Sequence, residues 1–163
     1  MAGAEMELLA RDPAAAEREL RDAIEVGQRM GAARYVALYR CRLAHVLLTL
    51  GRDEDASLEL EQARGLPGSV PTWQMAQARV LARRGETEEA DALALRAVEA
   101  LATYDDITSR AEILTQQAEV LRAHGDDGDA RSALVEAIAL HEEKGNVLNA
   151  EQCRELLAAL EKG

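Results

Sequence analysis

A chain of 163 residues is about the length of one domain, and 48% hydrophobic content with no Phe leaves the core to alanine and leucine, which number 32 and 23. Aromatics at 2% favour closely packed helices over sheets. A net charge of −11 and a pI near 4.8 exclude a nucleic-acid or acidic-membrane surface, which would need clustered Lys and Arg.

No apolar run approaches the roughly 20 residues of a membrane span, and the opening MAGAEMELLA carries acids where a signal peptide would carry bases, so a cytoplasmic location is expected. Glu5 to Ala10 reads as the last turns of a helix. Asp12-Pro13 is then an N-cap followed by proline at the first helical position. The pattern predicts helices over 13–30, 32–50, 53–64, 70–84, 87–103, 106–124, 127–143 and 146–161. Asp105, Asp126 and Asn146 are expected as caps, and Gly31, Gly51, Gly85, Gly125 and Gly145 as stops. Only residues 66–71, rich in Pro and Gly, read as a longer loop.

A grid of alanines runs through these elements. Ala44, Ala56 and Ala63 recur as Ala78, Ala90 and Ala97, then as Ala118, Ala130 and Ala137, with Ala16 and Ala23 upstream. A glycine holds the same place in each block, at Gly51, Gly85 and Gly125. The blocks are 34 and 40 residues apart, and a six-residue surplus is close to two turns at about 3.6 residues per turn, so the buried face keeps its register. Repetition at this period means stacked helical hairpins.

The blocks resemble tetratricopeptide repeats, which place small residues at three fixed points, a larger apolar residue in the first helix (here Leu47, Leu81 and Leu121) and a glycine at the turn. Where that pattern often has an aromatic residue this chain has Arg40, Gln74 and Leu114, and only Pro67 stands near the usual closing proline. LLARDPAAAERELRDAIE, VLARRGETEEADALALRAV and AEVLRAHGDDGDARSALVEAIALHEEKGN are further similar to the C-terminal helical arrays of large bacterial signalling and regulatory proteins. Such arrays often follow cyclase, ATPase or DNA-binding modules, none of which is present in these residues. The resemblance implies an all-α, right-handed α-solenoid spanning 1–163 as one domain. It would comprise a partial first repeat (1–31), repeats at 32–69, 70–105 and 106–145, and a capping helix at 146–163.

Charge segregates between the helices of each hairpin. The first helices of the three blocks sum to +6 and the second helices to −11. In the family the first helix lines a concave groove, and the groove-facing offsets here hold Arg42, His45 and Thr49, then Met75, Arg79 and Arg83, then Thr115, Gln116, Glu119 and Arg122. The Arg fork binds carboxylates at two points, so an acidic partner segment or C-terminal carboxylate is the expected ligand of a protein-interaction scaffold. The competing reading pairs the arginines with acids of the adjacent second helix. The Lys and Asn of the carboxylate clamp of chaperone-binding relatives are absent from the corresponding offsets.

Two other functions fit the pattern: a sensory domain holding a small anionic effector, and a module that self-associates through its N-terminal edge, with Leu8, Leu9 and Leu20 in contact. His45, His124 and His141 fall in three different predicted helices, and there is no HExxH, paired CxxC, phosphate loop or GxSxG, so no enzyme activity and no cofactor are expected. The acidic stretch 124–129 lacks the alternating ligands of a calcium loop. Cys41 and Cys153 read as structural thiols, and Tyr39 and Trp73 as core fillers.

Overall fold

The computed structural model describes residues 12–68, 70–102 and 106–161. They form eight α-helices and no strand: α1 (Pro13–Arg29), α2 (Ala33–Thr49), α3 (Asp53–Ala63), α4 (Val70–Arg83), α5 (Thr87–Ala102), α6 (Ile107–Ala123), α7 (Asp127–Glu143) and α8 (Val147–Leu160). The stub at Glu5 to Ala10, Leu8, Leu9 and the expected cap Asp105 lie outside the described residues. Every predicted boundary falls within one residue of the observed one.

The caps follow from side-chain chemistry. Asp12 accepts from the Ala15 amide at 2.9 Å, Asp126 from Asp129 at 3.3 Å and Asn146 from Asn149 at 3.4 Å. The cap of α6 is Asp106 rather than its neighbour, with one carboxylate oxygen on the Ser109 amide and the other on the Ser109 hydroxyl at 2.6 Å. These bonds hold the Asp106 carboxyl below its ordinary range.

Each first helix then ends alike. The amide after Gly51, Gly85 and Gly125 donates back to the carbonyl of Leu47, Leu81 and Leu121, at 2.8, 3.0 and 3.1 Å, so the recurring leucine anchors the turn through its backbone. Those glycines have φ of +72°, +79° and +81°, a region costly to side chains. Gly125→Ala is therefore expected to cost about 1–2 kcal/mol, read as a lower urea midpoint at unchanged slope.

Two compact units divide the chain, Met1–Val80 and Leu81–Gly163, so α4 contributes its first eleven residues to one and its last three to the other. In the first unit α1 packs on α2 and α2 on α3 around Leu20, Ile24, Leu43, Leu47 and Leu60, with Val80 and the edge of Trp73 closing the cluster. The second unit packs α5 on α6, α6 on α7 and α7 on α8 around Leu114, Leu134 and Cys153. Ten of the eleven grid alanines are at most 3% exposed, because only a methyl fits where two helix backbones approach. Ala23 is the exception and is partly exposed, since α1 buries the stripe Ala16, Leu20, Ile24 and Gly27 instead.

Gly27 lets α1 approach α2 closely beside Val36. A Cβ there would stand 2.9 Å from Cγ2 of Val36, a branched side chain with no free rotamer to retreat into. Gly27→Ala is expected to lose about 1 kcal/mol net even though alanine is the better helix former. A thermal melt that rises for this variant would contradict that reading. Leu20 is 3% exposed within the same stripe, which corrects its assignment to a self-association surface.

Candidate functional site

In the first unit the groove offsets are only partly a surface. Met75 is fully buried, so it packs the core instead of meeting a partner, which corrects its assignment. Arg79 is 6% exposed, and its guanidinium meets Nδ1 of His45 across from α2. That contact makes Nδ1 the acceptor and leaves the imidazole neutral. Burial, with the facing Arg79 cation added, pushes the His45 pKa down to about 3. Thr49 is exposed, its hydroxyl bonded to the His45 carbonyl at 3.1 Å, and Arg42 is partly buried.

In the second unit Arg83 and Arg122 are exposed, while Gln116 and Glu119 are partly buried. Thr115 is spent internally. Its hydroxyl donates to the Ala111 carbonyl at 2.9 Å and so must accept the Cys153 thiol at 3.2 Å. Burial pushes the Cys153 thiol up, and both cysteines are 1% exposed, as inert structural thiols should be. Arg42, Arg79, Arg83 and Glu119 all have intramolecular partners.

The competing reading, in which first-helix arginines pair with acids of the adjacent second helix, holds for part of the segregated charge. Arg40 on α2 binds Glu59 on α3, with side chains only 10% and 17% exposed, and Arg110 on α6 binds Glu136 on α7. Arg52 bridges Glu17 at 2.7 Å and Asp55 at 2.6 Å, tying α1 to the start of α3. Burial alone would raise the Glu17 pKa, yet hydrogen bonds and charge from Arg21 and Arg52 bring it below the ordinary value. The charge alternation between first and second helices was the available signal for these pairs.

The His124 ring, at the C-cap of α6, is 9% exposed with Nδ1 3.0 Å from an Asp91 oxygen, but out of line for a hydrogen bond. Among the described residues no three His, Cys, Asp or Glu side chains gather as metal ligands, and no helix is long and apolar enough to cross a membrane.

Over 98% of its length the chain superposes on 81% of BtubC (BKLC) from P. vanneervenii, with a TM-score of 0.54 and 18% identity. The fold is TPR-like. A kinesin light chain of P. anserina with nearly identical TPR-like repeats matches with a TM-score of 0.51 and 18% identity, over 96% of this chain and 92% of that one. No family model and no curated protein matches the sequence. The TPR-like hairpins account for the alanine grid, since that fold stacks short helices too closely for larger side chains.

Proposed function

We propose that the chain is a non-catalytic protein-interaction scaffold of the cytoplasm. The observation that carries this reading is the TPR-like repeat fold, whose hairpins bury one face against their neighbours and leave the other to partners. An acidic partner segment docks on the first helices. Each unit presents a face of its own: Arg42 and Thr49 in the first, and Arg83, Gln116, Glu119 and Arg122 in the second. Arg40, Arg79 and Arg110 serve the fold instead, through Glu59, His45 and Glu136.

The experiment is fluorescence anisotropy with acidic peptides at low and high salt. Arg83→Glu with Arg122→Glu is expected to weaken binding about tenfold at low salt and to flatten the salt dependence. Equal affinity of wild type and variant would remove the acidic-segment reading.

A further inference from the structure

One edge of the first unit collects exposed apolar and cationic side chains that neither the core nor the groove reading uses. It is formed where the α1–α2 turn meets the loop after α3. The stem of Arg34 lies so close to Gly68 that a Cβ there would sit 2.5 Å from its Cγ, which joins the first turn of α2 to that loop. Around this contact Met30 is 76% exposed, Tyr35 58% and Val70 59%. Tyr35 stacks on Tyr39, with ring centroids 6.4 Å apart and 28° between planes, and Tyr39 in turn packs on the core. The loop is pinned as well. Trp73 donates its indole N–H to the Leu60 carbonyl at 2.9 Å, and the Arg64 guanidinium lies 5.5 Å over its ring.

Scattered exposed apolar residues are ordinary, but these three share one preorganised edge with Arg34 and Arg64, neither of which makes an ion pair in the described residues. The mixture of Tyr, Met and Arg is the composition of interface centres. We infer that this edge is a docking surface for a short acidic peptide segment carrying large apolar side chains, which fill the space around Tyr35 and Met30 while its carboxylates face Arg34 and Arg64.

Charge selects this occupant. Arg34 and Arg64 complement carboxylates locally, and a symmetric second copy would bring this cationic edge against itself. The inference stands apart from the groove, because none of its residues belongs to the first-helix set proposed above.

The test is a selection of random displayed peptides against the whole chain, followed by anisotropy with the enriched sequences. Two variants report on the edge: Met30→Ala with Tyr35→Ala, and Arg34→Gln with Arg64→Gln, whose stems still cover Gly68 and Trp73. Circular dichroism should show both folded, since all four side chains lie on the surface. Enriched peptides are expected to be acidic and apolar, to lose about tenfold or more in affinity to either variant, and to bind Arg83→Glu with Arg122→Glu as they bind wild type. Basic peptides, peptides indifferent to the edge variants, a selection without enrichment, or a self-association abolished by these variants would each overturn the inference.

Discussion

Arg40→Ala is expected to cost about 3 kcal/mol of folding stability, among the largest effects of any single charge deletion in this chain. The pair it breaks joins α2 to α3, with Arg40 10% and Glu59 17% exposed at the side chain. Deleting the arginine leaves a carboxylate largely excluded from water with no counter-charge, and that desolvation is the greater part of the loss. Glu59→Gln should be milder, because the amide oxygen still accepts from the guanidinium. Replacing both residues by leucine should return most of the stability, since the site needs volume and matched polarity more than it needs charge. Urea denaturation of the two single variants and the double Leu variant gives the coupling directly. A cost below about 1 kcal/mol for Arg40→Ala would place the pair among ordinary exposed ion pairs.

Arg40 also shows why the fold was more legible than the site. Helix starts, helix stops and the buried alanine face depend on short-range chemistry: a cap three residues from its amide, a glycine in the left-handed region, a methyl where backbones approach. Such constraints leave a periodic trace, and Ala56, Ala90 and Ala130 carry it to positions without any exposure. Even the miss at Ala23 is small, because one helix with its own buried stripe departs from the grid.

Side-chain partners leave a fainter trace. The charge difference between first and second helices is real, yet it fits both a basic groove and pairing within a hairpin, and the pairing claims Arg40 and Arg110. Met75 and Arg79 were placed on a groove face by offset alone, although a helix with neighbours on several sides buries more than one stripe. Trp73 was read correctly as a packing residue, but its bond to the Leu60 carbonyl needed the placement of its ring against the end of α3, which sequence spacing does not define.

Acid should destabilise the chain well above the range where carboxylates titrate, and His45 is the reason. Unfolded, its imidazole takes up a proton near pH 6.5; folded, burial and the facing Arg79 hold it neutral down to about pH 3. The unfolded state therefore binds the extra proton throughout that interval, and stability falls as pH falls. The contribution of His45 is fully present above pH 6.5. Its loss should reach about 2 kcal/mol at pH 5 and as much as about 4 kcal/mol by pH 3. His141, 2% exposed and likewise lowered by burial, adds in the same direction. Glu17 and Asp106, both lowered in the fold, contribute only as pH drops below about 4.5, so the interval from pH 7 to 5 isolates the histidines. Urea midpoints at the two pH values, for wild type, His45→Gln and His141→Gln, separate the terms. Glutamine keeps an acceptor for Arg79 and cannot titrate, so His45→Gln should lose most of the pH dependence while remaining folded at pH 7. An undiminished loss between pH 7 and 5 in that variant would show that His45 is not the group whose protonation destabilises the fold.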